Sequence, residues 1–256
     1  MLRKTLLAAA AAVAISFGAT APQTAQAAGA AVDLIEQDWS FEGIFGTYDR
    51  NAVRRGLQVY REVCSSCHGL KRIAFRHLAG VGFTEDEIKA IAAEYTIVDG
   101  PNDEGEMFER DGIPADYYPS PYPNPQAGAA AHGKFPPDLS LMAKARGNGP
   151  NYIYSILNGY VDEVPEGFPE DANYNEYFPG HQIAMAQPLY GDDVEYADGT
   201  EATISQQSKD LVQFLMWTAS PELEERKSLG IKVILFLIVF TGLLYALKRQ
   251  IWKDLH

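Results

Sequence analysis

The run Cys64-Ser65-Ser66-Cys67-His68 constrains this chain more than any other feature, because it holds the only two cysteines among 256 residues. With no third cysteine, no disulfide framework can staple the fold. A structural zinc site needs four ligands and normally a second pair, which the sequence does not offer. A redox C-x-x-C is the other use of such a pair, but the immediate histidine and the lack of alternating strand and helix patterns speak against it. The spacing fits the C-x-x-C-H pattern of covalent haem attachment. Two thiols on one helical turn reach two vinyl groups of one macrocycle, and the adjacent imidazole then projects toward the iron.

Both ends of the chain bear on where such a group is held. Arg3 and Lys4 followed by an Ala-rich apolar stretch, with Ala25-Gln26-Ala27 behind it, read as an export signal over residues 1–27. The other end carries LGIKVILFLIVFTGLLYAL, 19 residues from Leu229 to Leu247. As a helix that run would rise about 28 Å, close to the hydrocarbon thickness of a bilayer. Lys248, Arg249, Trp252 and Lys253 follow it, and positive charge after a span places that end in the cytoplasm. The sequence therefore predicts a signal peptide (1–27), an exported mono-haem body (28–222), a transmembrane anchor (223–248) and a cytoplasmic tail (249–256).

Charge narrows the partners. Lys and Arg number 21 against 34 Asp and Glu, a net −13. Without Arg3 and Lys4, 19 basic residues face 34 acidic ones, a net −15. Phosphate binding needs a basic footprint, so nucleic acid is excluded as a partner class. The acidity suits a cationic protein partner as well as plain solubility.

The body reads as mainly helical with long connections. Residues 28–47 form an irregular arm whose Trp39, Phe41, Ile44 and Phe45 pack on the body. Asp49 or Asn51 can cap a helix from about Ala52, with Val53, Leu57 and Tyr60 on one face, running straight into Cys64. Thr84 with Glu87 three residues on marks a helix over Thr84–Glu94. Residues 99–137 lack periodicity and read as two loops, one acidic and one rich in Pro and Tyr. Asp138 or Ser140 starts a short helix through LSLMAKA. Asn151–Leu157 is another helix, residues 162–180 are loop, and Ser205–Thr218 is a strong helix. Connections this long are uncommon unless something organises them, and a buried prosthetic group would do so.

The iron's sixth ligand must come from Met107, Met142, Met185, Met216, His77, His132 or His181. Met142 and Met216 sit on helices, where Met is more often core filler. Met107 lies in an acidic loop. Met185 stands in HQIAMAQPLYGDD between two alanines, with Pro188 to stiffen the loop. On these residues alone Met185 leads and His181 stays open. A thioether ligand stabilises reduced iron and raises the potential.

The stretches YDRNAVRRGLQVYREVCSSCHG, FPPDLSLMAKARGNGPNYIYSILNGY, YFPGHQIAMAQPLYGDDVEYADGT and DLVQFLMWTASPELEERKSLGIKVILF, in that order, resemble the cytochrome c1 family. These are the haem-bearing subunits of bacterial ubiquinol–cytochrome c oxidoreductase (cytochrome bc1) complexes. The resemblance implies a mainly α, cytochrome c-type haem fold with long loop insertions and one C-terminal transmembrane helix. It implies one covalently attached haem c, with thioethers to Cys64 and Cys67 and iron ligands His68 and Met185. It places Arg146 beside the propionates, and Pro137 and Tyr152 in the pocket wall. It implies a single-pass protein of the bacterial inner membrane, haem domain periplasmic, working as an electron carrier beside cytochrome b and an iron–sulfur subunit and passing electrons to a soluble c-type cytochrome. The acidic runs Glu85–Glu87, Asp99–Asp111, Asp162–Asp171 and Asp192–Glu201 are the docking candidates. Gln187 stands where family members often carry a second proline, and His132 where Asn is common. A haem subunit of another membrane oxidase or reductase is the alternative carrier. A peroxidase-like enzyme with an open iron site is the alternative of another class.

Overall fold

The computed structural model describes residues 32–170 and 172–253. The predicted export signal and Asp171 lie outside them. Among the described residues are seven α-helices, a π turn, a 3-10 helix and two short antiparallel strand pairs.

Helix α1, Arg50–Val59, is capped by Asp49, whose carboxylate accepts from the Asn51 and Ala52 N–H groups at 3.0 and 3.1 Å. It continues as a π turn over Tyr60–Cys64. Its apolar face (Val53, Leu57, Tyr60) is buried as the spacing predicts. That face crosses α6, Ile204–Ala219, which Thr203 caps. The crossing is close because Gly56 has no side chain: a Cβ there would lie 2.0 Å from the Asp210 carbonyl oxygen. Arg55 and Asp210 join the two helices by paired hydrogen bonds of 2.9 Å.

Two small helices pack on α6. Helix α4 covers only Met142–Ala145 and α5 covers Gly149–Asn158. Helix α2, Glu85–Ala93, carries the predicted capping box between Thr84 and Glu87. It lies on the 3-10 helix Phe75–Val81, which the sequence reading missed.

The stretch read as two loops is more ordered than its composition suggests. Strand β1, Thr96–Asp99, pairs with β2, Phe108–Asp111. Arg110 fastens this hairpin by donating to Asp99 at 2.5 Å and to Asp116 at 2.6 and 3.0 Å. Helix α3, Pro125–His132, starts at the Asn124 cap and ends at Gly133, whose φ is +74°. Pro125 sits at its first turn, where a missing N–H costs nothing. Residues 162–180 also contain a strand, β3 (Asn173–Tyr174), paired with β4 (Gln182–Ile183).

Helix α7 runs from Leu223 to Ile251, beyond the predicted end of the span. Leu229 and the apolar residues from Val233 to Ile251 are exposed. In the N-terminal arm Trp39 and Phe41 are buried as expected, but Ile44 and Phe45 are not. Gly43, at φ +68°, turns the chain so that those two side chains face outward.

Candidate functional site

The π turn delivers Cys64 to the end of α1. Its widened hydrogen bond, Ser65 N–H to Tyr60 O at 2.8 Å, re-aims the chain where the cysteines begin. Such bulges recur at functional positions. The next turn is held by Cys67 N–H and His68 N–H, both donating to Cys64 O at 3.1 and 2.9 Å. Tyr60 closes it from behind, its hydroxyl donating to His68 O at 3.0 Å.

The segment after the motif docks on residues 137–140. His68 Nδ1 lies 2.8 Å from Pro137 O, and a carbonyl can only accept, so Nδ1 carries the proton. Leu139 N–H donates to Gly69 O at 2.9 Å. Lys71 N–H donates to the Asp138 carboxylate at 2.9 Å, and Arg72 N–H to Ser140 Oγ at 3.1 Å. Asp138 and Ser140 therefore tie two segments together instead of capping α4 through a side chain, as the sequence had suggested.

This arrangement decides what the motif can do. With Nδ1 protonated, the lone pair of His68 is on Nε2, the form that ligates metals. Burial lowers the His68 pKa and keeps the ring neutral, against the raising effect of Pro137 O. Burial also pushes the Cys64 thiol up to about 12. That is the reverse of a thiol–disulfide catalyst, whose nucleophilic cysteine is held as thiolate. Among the described residues no three His, Cys, Asp or Glu side chains group as a metal cage. The donor set fits a group bonded through both sulfurs and ligated once by imidazole.

The remaining predicted residues sit on separate elements. Pro137 is brought directly to His68. Tyr152 is half-buried on the first turn of α5. Arg146 follows α4, exposed, and makes no ion pair among the described residues. Met185 is half-buried just past β4, and its carbonyl accepts from Tyr160 Oη at 2.9 Å. Met107 apart, the rival donors are engaged elsewhere. Met107 is exposed, while Met142 and Met216 pack against the core. His77 Nδ1 accepts from Ala74 N–H at 3.1 Å, His132 pairs with Tyr122, and His181 stacks on Tyr174 at 5.5 Å.

Three supporting residues escaped the sequence reading: Tyr60 as a brace, Asp138 as a tie and Tyr160 as a holder of the Met185 loop. Tyr60 was legible only as part of an apolar helix face. The partners of the other two lie far along the chain, where no local pattern reveals them.

Comparison with known proteins bears on the same residues. A family model described as the Cytochrome C1 family matches residues 39–255. Cytochrome c1 of Rhodospirillum rubrum is 52% identical, over 90% of this chain and 91% of that protein. Cytochrome b/c1 of Bradyrhizobium diazoefficiens is 51% identical over 85% of this chain, which spans 35% of that longer protein. The cytochrome b-c1 complex catalytic subunit, mitochondrial, of Candida albicans is 50% identical, over 85% of this chain and 77% of that protein. An attachment motif whose histidine is already set in the metal-ligating tautomer, on a helical body with one long apolar C-terminal helix, thus has its explanation: the chain belongs to the cytochrome c1 family, electron-transport proteins that carry covalently attached haem c.

Proposed function

We propose that this chain is the haem-bearing electron-transfer subunit of a bacterial bc1-type complex, taking electrons from an iron–sulfur subunit and passing them to a soluble c-type cytochrome. The observation that carries the reading is the His68 Nδ1–H bond to Pro137 O, which leaves Nε2 as the free donor. Haem c, when bound, supplies one-electron chemistry at an iron with two protein ligands.

Each residue then has a distinct task. Cys64 and Cys67 would hold the group through thioethers, and His68 Nε2 would ligate the iron. Met185 would be the second iron ligand, supported by the engagement of its rivals other than the exposed Met107 and by the Tyr160 hydrogen bond that fixes its backbone. Arg146, a cation that makes no ion pair among the described residues, suits a propionate. Pro137 and Tyr152 line the pocket. Cytochrome b is the membrane-embedded neighbour of the anchor.

The topology belongs to the same proposal: an inner-membrane protein with one span, the haem domain periplasmic and the C-terminal tail cytoplasmic. Support comes from the exposed apolar surface of α7 and the basic cluster at its end. For the acceptor, residues 162–170 are the best-placed acidic run. Asp162, Glu163, Glu166 and Glu170 are exposed and make no ion pair among the described residues. In the other three runs at least one acid is paired: Glu87 with Arg54, Asp99 with Arg110, Asp198 with Arg55. Tyr160 and the β3–β4 pair tether this run to the Met185 loop.

The deciding experiment is spectroscopy on the purified full chain, with intact mass. One porphyrin mass per chain and a low-spin ferrous spectrum unchanged by carbon monoxide are expected. A high-spin spectrum that shifts with carbon monoxide would point to an open iron site and overturn the carrier reading.

A further inference from the structure

The N-terminal arm contains a feature that electron transfer does not use. Ile44 and Phe45 are 69% and 84% exposed, while Trp39 and Phe41 of the same arm are buried and stacked at 5.7 Å. We infer that the turn Gly43–Gly46 is a second membrane contact: Ile44 and Phe45 insert into the headgroup–acyl boundary of the leaflet that α7 enters first. The inference rests on residues 229–247 spanning the membrane.

Three observations carry it. The first is rigidity. Glu42 N–H donates to Trp39 O at 3.0 Å and Thr47 N–H to Ser40 O at 2.9 Å, closing the turn on both sides. A Cβ at Gly46 would lie 1.8 Å from Glu42 O, so the tip is folded as tightly as glycine allows. The two apolar side chains are therefore presented outward by a fixed backbone.

The second is position. Lys227 Nζ donates to Phe41 O at 2.7 Å and to Gly46 O at 3.0 Å, so one cation in the first turns of α7 grips both ends of the loop. Leu229, where the apolar run starts, is only about 3 Å farther along the helix axis. A second clamp holds the chain just past the turn. Glu224 accepts from Tyr48 N–H at 2.8 Å and pairs with Arg50 at 2.7 and 2.9 Å. The tip thus travels with the mouth of the span and sits beside it.

The third is size. Two side chains cover far less than the roughly 800 Å² per partner of a stable protein interface. A small apolar tip with an aromatic at the level where a helix enters lipid suits the interfacial zone. Glu42, just before the turn, is the only charged residue between Trp39 and Tyr48, and interfacial depth leaves its carboxylate in water.

The test uses the full-length, haem-loaded chain in lipid nanodiscs. Phe45→Cys is labelled with the environment-sensitive fluorophore NBD, and one label per chain is expected because Cys64 and Cys67 are consumed as thioethers. Leu237→Cys, inside the apolar run, and Glu104→Cys, in the exposed acidic loop, are the references. Position 45 is expected to be quenched severalfold more by a shallow doxyl-labelled lipid than position 104, and to resist aqueous iodide. Iodide quenching equal to that at position 104 overturns the inference. So does protection from iodide without lipid quenching, which would mean that protein covers the tip. If the label at position 237 is not quenched by lipid, the span itself fails. If it is quenched and position 45 is not, only the second contact fails. Ile44→Cys gives an independent reading of the same turn.

Discussion

Replacing Gly56 by alanine should loosen the scaffold that carries the attachment motif. A Cβ at this position would lie 2.0 Å from Asp210 O, 2.6 Å from Asp210 C and 2.8 Å from Phe214 Cβ. The nearest approach is more than about 1 Å short of van der Waals contact. Two of the three obstacles are backbone atoms, so no rotamer change relieves the overlap and α1 must move off α6. Overpacking of this kind costs about 1–3 kcal/mol, and a backbone obstacle argues for the upper end. Alanine regains about 1 kcal/mol of helix propensity. The net loss is then about 2 kcal/mol, or about 4–8 °C in Tm for a body of this size. The assay is thermal unfolding of the haem-loaded chain followed by Soret circular dichroism. Gly80→Ala is the control, since a Cβ at Gly80 meets nothing within 4 Å. It should leave Tm unchanged or slightly raised. An unchanged or raised Tm for Gly56→Ala would refute the close crossing of α1 and α6 on which the placement of Cys64 depends.

Met185→Leu should leave haem attached and lower the midpoint potential strongly, while Tyr160→Phe, which frees the Met185 carbonyl, should lower it by less; redox titration of both tests the ligand and its support. Arg55→Met should destabilise the body by about 3–5 kcal/mol, because Asp210, only 1% exposed, is left as a buried unpaired charge; denaturant unfolding that finds less than about 1 kcal/mol would show that water reaches the carboxylate. Hydrogen bonds from Thr84, foremost its backbone N–H, and from Arg54 hold the Glu87 carboxyl at about 2, below its ordinary 4.5. A depressed carboxyl stabilises the fold above its ordinary pKa, and that contribution is lost as pH falls through about 2; Thr84→Ala keeps the backbone N–H and removes only the hydroxyl bond at 2.9 Å, so it should move the Glu87 titration seen by NMR slightly upward, and no movement rejects the Thr84 hydroxyl as a contributor. Neutralising Asp162, Glu163 and Glu166 together should slow reduction of a cationic acceptor at low salt and flatten its salt dependence, with the haem spectrum unchanged; stopped-flow rates that stay the same would move the docking surface elsewhere.

What the sequence disclosed was whatever rests on local spacing. The Asp49 and Thr84 caps, the Val53–Leu57–Tyr60 face and the apolar run after Leu229 are each written within a few residues, and the structure realises each. Helix α3 was hidden inside a stretch read as a Pro- and Tyr-rich loop, where Pro125 and Gly133 in fact mark its start and end. Ile44 and Phe45 were misplaced because apolar type alone does not say which way a turn points. The β1–β2 hairpin was hidden because Arg110 fastens it through Asp99 and Asp116, and a charged side chain leaves no alternating pattern.

The same case adds to a broader expectation, that a buried prosthetic group would organise the long connections: the chain's own pairing contributes as well. Much of the order in 99–137 comes from backbone pairing with the chain just after the attachment motif. Tyr118 N–H donates to Ile73 O at 3.1 Å, Phe75 N–H to Asp116 O at 3.0 Å and Arg76 N–H to Pro114 O at 2.7 Å. Behind this pairing Tyr60, Phe75, Tyr95 and Tyr118 form one aromatic cluster, with Phe75 and Tyr118 only 4.3 Å apart. Both ends of the connection are thus registered against residues 68–76 by hydrogen bonds of the chain itself. The outgoing end is fixed by the hairpin, and the returning end by Pro137 O, Asp138 and Ser140. The returning end also sets the His68 tautomer. The connection therefore acts on the His68 ring through Pro137 O, and an insertion between residues 119 and 123, ahead of α3, should leave that contact in place provided the two registered ends hold.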